Sequence, residues 1–361
     1  MNRIAKSWGV RTYGFFRSLG TIEIMAKRIL IVTNSRSGGG AERAMNLLAN
    51  LLFSEGFDVK IAYVSFGPSD SINVVPFHID LNRKRKNLFF SALIPLIKYQ
   101  KLVIQYKPNY TLLNCDFPEM LGAFSFGGST RVVVEHTHKP FNGRKIIGVI
   151  TRMILIWRKS LFISVSSMKL VWPSKRGFDD CIENLFYSDF KTQLNFQGEL
   201  RELFYVGRLS PEKRPDIALE IAHRLEVPIK FVGEGGLLTS LKQNAQILNI
   251  NATFLGFQEN PWVHFEKNSL LIVPSDHEGD GLVVIEALAA NFPLVLRKVD
   301  SLYRFNLPEI NYASTIEEFV DGINLHRNNI SSFVPPVGDC ETILSARNPR
   351  LILSKWLKWL K

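Results

Sequence analysis

The sequence predicts an α/β protein built from two doubly wound, Rossmann-like domains. Three observations lead there. The chain has 361 residues, too many for one hydrophobic core. Short apolar runs ending in glycine turns alternate with helical patterns, once through each half. The runs are apolar on both faces, as parallel strands covered by helices are. An apolar content of 46% and a charged content of 21% suit a globular protein with much to bury.

Residues 1–24 carry Arg3, Lys6, Arg11 and Arg17 among aromatics, in apolar pieces too short for a membrane span or a secretory signal. They read either as an amphipathic surface anchor or as an extension upstream of a start at Met25, the second being preferred. The first domain is expected over 25–190. Arg28 to Asn34 is its first strand, Ser35 to Gly40 a glycine loop, Ala41 to Ser54 an amphipathic helix and Val59 to Phe66 the second strand. This opening is Rossmann-like. It lacks the glycine spacing and the distal acidic residue of a dinucleotide site, so a nicotinamide cofactor is disfavoured. Arg131 to Glu135 is a later strand that delivers His136-Thr137-His138 at its C-terminal end, where open α/β sheets bind ligands.

Charge divides the chain unevenly. Residues 1–200 hold 27 Lys and Arg against 14 Asp and Glu, whereas residues 201–361 hold 17 against 19. A basic half implies an anionic partner. Arg83-Lys84-Arg85-Lys86 precedes an apolar helical run to Tyr106, and Arg144-Lys145 opens a second run ending in Trp157-Arg158-Lys159. Cations beside aliphatic and aromatic residues suit helices lying on an anionic membrane. The alternative is amphipathic helices packed on the sheet with solvated basic faces. No nucleic-acid-binding module is present, so that partner is disfavoured. Cys115, Cys181 and Cys340 have neither metal-ligand spacing nor the pattern of a disulfide framework, and read as small core residues in a reducing compartment.

A polar linker is expected at 191–201 and the second domain at 202–340, with strands at 202–206, 229–233, 252–256, 270–274 and 293–297. Tyr205-Val206-Gly207-Arg208 ends the first of these, and Lys213 follows before a helix. Val232-Gly233-Glu234-Gly235-Gly236 ends the second. Leu270 to Pro274 leads into Glu278-Gly279-Asp280-Gly281-Leu282, whose glycines leave N–H groups open at a helix start that favours an anion. Glu286 lies within that helix. Asn291 is expected at its C-terminus in the left-handed conformation, with Pro293 stopping it. The basic amphipathic stretch 341–361 is expected to cross back onto the first domain or to touch a membrane.

These motifs, in this order, resemble the retaining glycosyltransferases of family 4 (glycosyl transferases group 1), whose signature is two glutamates separated by seven residues, as Glu278 and Glu286 are. Gly38-Gly39-Gly40-Ala41-Glu42 resembles that family's N-terminal glycine loop. The resemblance spans residues 27 to about 330. It implies the GT-B fold, two Rossmann-like domains facing each other across a cleft, and transfer of a sugar from a nucleotide-diphosphate sugar to a glycan or lipid-linked acceptor in cell-envelope or polysaccharide biosynthesis. It implies that Arg208 and Lys213 bracket the diphosphate and that Glu278 lies against the donor sugar. Glu286 would bond the nucleotide ribose, with Gly207, Gly279, Asp280, Gly281 and Leu282 lining the donor site. Gly38, Gly39, Gly40 and Glu42 would face the acceptor and the phosphates, and either His136 or His138 the reacting sugar.

No Asp-x-Asp stands at a strand end, so neither metal nor cofactor is expected. The protein is expected in the cytoplasm, peripheral on the cytoplasmic face of the membrane. Three features depart from the family. Asp280 stands where an aromatic is usual and adds a negative charge near the donor. Asn291 replaces a common glycine. Residues 299–304 replace a paired-glycine loop, with Lys298 or Arg304 as substitute donor contacts. A GT-B epimerase or a catalytically silent nucleotide-sugar binder would share the fold without the transfer.

Overall fold

The computed structural model describes residues 27–35, 39–65, 78–81, 90–137, 140–141, 144–166, 177–186, 196–258 and 260–360. The chain forms two compact units. The first is Met1–Ile182 with Leu353–Lys361, and the second is Glu183–Ile352.

In the first unit β1 (Arg28–Ser35), α1 (Gly40–Ser54) and β2 (Asp58–Ser65) make the opening βαβ. They are followed by β3 (His78–Asp80), α2 (Phe90–Tyr106), β4 (Tyr110–Asn114), α3 (Asp116–Phe124), β5 (Thr130–Glu135) and α4 (Lys145–Trp157). The unit's sheet closes with β6 (Leu161–Ser164) and β7 (Asp180–Cys181). The strand order is 3-2-1-4-5-6-7, and every pairing is parallel. Ile29 to Val32 of β1 are fully buried, because both faces of the central strand are covered. The β1-to-β2 connection runs one way across the sheet, and those from β3 to β4 and β5 to β6 run the other way. Right-handed crossovers therefore place α1 on one face and α2, α3 and α4 together on the other.

The second unit repeats the plan with β8 (Glu202–Val206), α5 (Pro215–Leu225), β9 (Ile229–Val232), α6 (Leu238–Ile247) and β10 (Ala252–Phe254). Then come β11 (Ser269–Val273), α7 (Leu282–Ala289), β12 (Leu294–Arg297), α8 (Asp300–Tyr303) and β13 (Tyr312–Ala313). Its sheet runs 10-9-8-11-12-13, again parallel. The helices α9 (Ile316–Leu325), α10 (Val337–Ser345) and α11 (Pro349–Trp359) follow.

The division differs from the expected boundaries in two places. Part of the polar stretch 191–201 belongs to the second unit, because Phe196 and Leu200 are buried in its core and the Phe196 ring meets Phe292 edge-on at 4.7 Å. Residues 341–352 also belong there, and only the last turns of α11 join the first unit. In that unit Trp359 Nε1 donates to Asp180 Oδ2 at 2.7 Å, and Lys358 Nζ lies 3.2 Å from the same oxygen. Residues 1–24 and the Arg83–Lys86 cluster lie outside the described residues. No helix among the described residues is long and apolar enough to cross a membrane.

Candidate active site

The strand order of the second unit locates a site. β8 and β11 are neighbours, and their onward connections leave in opposite directions, so a crevice opens beyond their C-terminal ends. The loops that follow these two strands carry Gly207 to Lys213 and Ser275 to Gly281.

The first loop is fixed by glycines that let backbones touch. Gly233 has φ +143°, and a Cβ there would lie 1.9 Å from the Gly207 carbonyl oxygen; one on Gly235 would lie 2.2 Å from that of Leu209. In return Gly207 N–H donates to Val232 O at 3.0 Å and Leu209 N–H to Glu234 O at 2.9 Å. The chain then makes one 3-10 turn, Pro211–Lys213, and Arg214 takes a left-handed φ of +48° before Pro215 starts α5. The Tyr205 hydroxyl donates to the Arg208 and Lys213 carbonyls at 3.1 and 3.4 Å. Asp276 N–H donates to Glu212 O at 3.0 Å and joins the two loops.

The geometry brings together two of the candidates. Lys213 Nζ lies 2.6 Å from Glu278 Oε2, the glutamate being nearly buried and the lysine partly so. The other oxygen of Glu278 accepts from Ser275 Oγ at 2.8 Å, and its N–H donates to Ser301 Oγ at 3.0 Å. Arg208 is exposed, and its guanidinium makes no ion pair among the described residues. Gly281 has φ +67° as α7 begins, a conformation that favours glycine. Asn291 has φ +52° just past that helix, as expected.

Three expectations around this loop need correction or detail. Asp280 does not add an unbalanced negative charge. Its carboxylate is buried and takes both prongs of Arg347, Nη1 at 3.1 Å and Nη2 at 2.8 Å, with Arg304 Nη2 3.5 Å away. Burial pushes its pKa up against the pull of those guanidinium groups. Lys298 Nζ lies 2.8 Å from Glu309 Oε2 in a surface ion pair. Arg304 is on the loop itself, donating to Gly279 O at 3.0 Å. Glu286 is buried, and one of its oxygens accepts from Trp262 Nε1 at 2.8 Å. Leu282 is partly buried at the start of α7.

The first unit is organised about its own switch point, β1 beside β4. Gly39 and Gly40 lead into α1, and Glu42 is buried in its first turn. Asn114 Nδ2 at the end of β4 donates to Thr33 Oγ1 at 2.8 Å. His136 follows β5, and its Nε2 is buried with no partner among the described residues. Burial lowers this imidazole to about 3, so it is neutral near pH 7. Gly38 and His138 lie outside the described residues.

Behind the histidine lies a charge cluster. Arg152 of α4 is buried and forks onto Glu119 of α3, Nε to Oε2 at 3.0 Å and Nη2 to Oε1 at 2.9 Å. Its Nη2 also donates to Glu135, whose other oxygen accepts from Thr137 N–H at 3.2 Å. Burial drives Glu119 up to about 8, Arg152 opposing and Glu135 adding to the rise. Cys115 has φ +73°, and its thiol is pushed well up by burial and by the carboxylates of Glu42 and Glu135, which favours the thiol over the thiolate. Among the described residues no group of three or more His, Cys, Asp or Glu side chains could hold a metal ion.

Ser275, Ser301, Trp262 and Arg347 were not foreseen from the sequence. The serines sit three residues before and 23 residues after Glu278, and Arg347 lies 67 residues beyond Asp280. No local spacing marks Ser301, Trp262 or Arg347.

Two parallel doubly wound units with a glycine-turn site at the second sheet's switch point define the GT-B architecture, and solved structures show the same fold. HepE of Anabaena, crystallised with UDP and glucose, superposes with a TM-score of 0.75 at 18% identity, over 92% of this chain and 99% of that one. Residues 187–324, in the second unit, match the family Glycosyl transferases group 1, and the chain is a glycosyltransferase. It is 26% identical to an uncharacterized glycosyltransferase of Haemophilus influenzae over 84% of this chain and 91% of that protein. It is 25% identical to a Campylobacter jejuni GalNAc-alpha-(1->4)-GalNAc-alpha-(1->3)-diNAcBac-PP-undecaprenol alpha-1,4-N-acetyl-D-galactosaminyltransferase, over 72% and 76%.

Proposed function

We propose that this glycosyltransferase retains anomeric configuration and moves a sugar from a nucleoside-diphosphate sugar to a glycan or lipid-linked acceptor in cell-envelope polysaccharide assembly. The observation that carries the reading is the convergence of Lys213 and Glu278 from two loops at one switch point, beside the exposed Arg208. The bond from the anomeric carbon to the donor's phosphate oxygen breaks, and its electron pair leaves with the diphosphate. Arg208 and Lys213 neutralise that charge without a metal, and the Gly279–Gly281 amides at the start of α7 add a dipolar contribution. The acceptor hydroxyl bonds to the same face of the carbon and passes its proton to a phosphate oxygen. Glu278 lies against the donor sugar, and Glu286, steadied by Trp262, holds the ribose. An undecaprenol-linked substrate in the name of the C. jejuni relative supports a lipid-linked acceptor.

The α2–α4 face of the first unit supports attachment to a membrane surface. Leu93, Ile97 and Ile104 of α2 and Ile146, Ile150, Met153 and Trp157 of α4 are exposed, the last at 80%. Lys98, Lys101, Lys145 and Lys159 are exposed beside them, which suits anionic headgroups around apolar anchors. Thermal shift against UDP, GDP and ADP sugars, followed by transfer assays with the sugar that stabilises the protein, tests the reading. Absence of stabilisation by any of them overturns it.

A further inference from the structure

The Glu278–Gly281 loop owes its shape to a side chain far away in sequence. Asp280 is the only residue of the loop that ends in a buried two-pronged ion pair among the described residues, and both partners are buried. Arg347 is itself fixed. Its carbonyl accepts from Phe186 N–H at 3.2 Å, and its Nη1 also reaches Asn184 O at 3.4 Å. On the other side of Asp280, Arg304 grips the carbonyl of Gly279. Two guanidinium groups thus bracket the stretch between Glu278 and the left-handed Gly281. A loop with two glycines has the most conformational freedom to lose, and it needs such bracing to present one geometry. Glu278, two residues before Asp280, receives its orientation from that bracing and from Ser275 and Ser301.

We propose that Arg347 is a positioning residue for the donor loop, holding Asp280 and through it the Glu278–Gly281 backbone in the shape that sets Glu278 against Lys213. The donor part of this rests on the function proposed above. A buried ion pair with matched geometry adds direction, whereas an unpaired member is costly.

Hydrogen exchange of the full-length protein, read on peptides covering residues 275–285, tests the loop without any ligand. Arg347→Gln and Asp280→Asn should each speed exchange there by about tenfold or more, with the β8 and β11 peptides still protected. The double variant should exchange no faster than either single one, because both remove the same contact. In parallel, UDP affinity by calorimetry should fall by about tenfold or more in Arg347→Gln at an unchanged stoichiometry, because the Gly279–Gly281 amides that would meet the diphosphate lose their fixed geometry, a loss larger than the roughly fivefold gain from loosening the Glu278–Lys213 pair. Unchanged loop exchange, or exchange raised equally throughout the unit, overturns the proposal. So does faster loop exchange with unaltered UDP affinity. A wild-type protein that binds none of UDP, GDP or ADP instead sinks the proposed function, and the exchange data then decide the Arg347 assignment alone.

Discussion

Lys213 Nζ and Glu278 Oε2 lie 2.6 Å apart, so two side chains contributed by different loops neutralise each other before any donor arrives. A diphosphate that approaches Lys213 must compete with the carboxylate already there. Under the proposed function the pair would set a threshold for donor binding, and Glu278 would act on the leaving group's binding as well as on the sugar.

The first prediction follows from that competition. Glu278→Gln should tighten UDP binding by about fivefold, the worth of a partly exposed ion pair near 1 kcal/mol, while transfer falls. Calorimetry with UDP and turnover with the matching sugar nucleotide separate the two effects. Weaker UDP binding in this variant would show that Glu278 does not restrain the lysine.

Arg208 is exposed, whereas Lys213 is paired, so the arginine should carry more of the developing charge. Arg208→Ala should cost roughly 2.7–4 kcal/mol, about a hundred- to thousandfold in turnover, and lysine should rescue it poorly because a point charge lacks the fork. Chelator should leave turnover intact. Loss of transfer in EDTA with recovery on adding magnesium would contradict this account of the leaving group.

Gly233 predicts a structural sensitivity in the same site. Its φ of +143° and the 1.9 Å approach to Gly207 O leave no room for a methyl group. Gly233→Ala should cost more than about 1 kcal/mol in denaturant unfolding and should weaken UDP binding, because relief comes only by moving the Gly207 turn. Gly236→Ala, with nothing within 4 Å of its Cβ, is the control and should be close to neutral.

His136 sets an acid sensitivity. Its imidazole is held near 3 when folded against 6.5 for the free group, so the unfolded chain binds the extra proton between those values. Stability is then full above about pH 6.5 and falls as pH drops toward 3, by at most about 1.4 kcal/mol per pH unit from this group. His136→Asn should flatten the decline in unfolding midpoint measured between pH 6.5 and 4.5. An unchanged slope would place the acid sensitivity elsewhere.

The exposed α4 stripe predicts membrane binding with two components. Sedimentation with phosphatidylserine vesicles should fall with added salt, and fall further when Trp157 and Met153 are changed to Ser. Equal binding to neutral vesicles would remove the electrostatic part.

Much of this architecture is legible from local pattern. Apolar runs such as Ile29 to Val32 and Leu270 to Val273 are strands because only a covered parallel strand is apolar on both sides. Gly281 and Asn291 could be placed because a left-handed backbone selects few residue types. The loop of the signature was visible, and its bracing was not. Arg347 finds Asp280 across 67 residues, and Trp262 finds Glu286 across 24, through packing that no period in the sequence encodes. The departure at Asp280 read as an isolated charge because its partner lies outside any local window. The boundary near residue 190 failed for a related reason: Phe196 and Leu200 are two apolar residues in a polar stretch, and burial depends on what they meet.

The buried Glu119–Arg152–Glu135 cluster has a thermodynamic consequence of its own. It encloses two carboxyl groups and one guanidinium, and burial raises both carboxyls above their ordinary 4.5, so the coupled pair holds a proton to higher pH than the unfolded chain does. Folding of the first unit is therefore accompanied by proton uptake at this cluster above the ordinary carboxyl range. The heat of unfolding should vary with the ionisation enthalpy of the buffer, being different in phosphate and in Tris at the same pH and melting temperature. Glu119→Gln, which carries its hydrogen permanently, should reduce that difference.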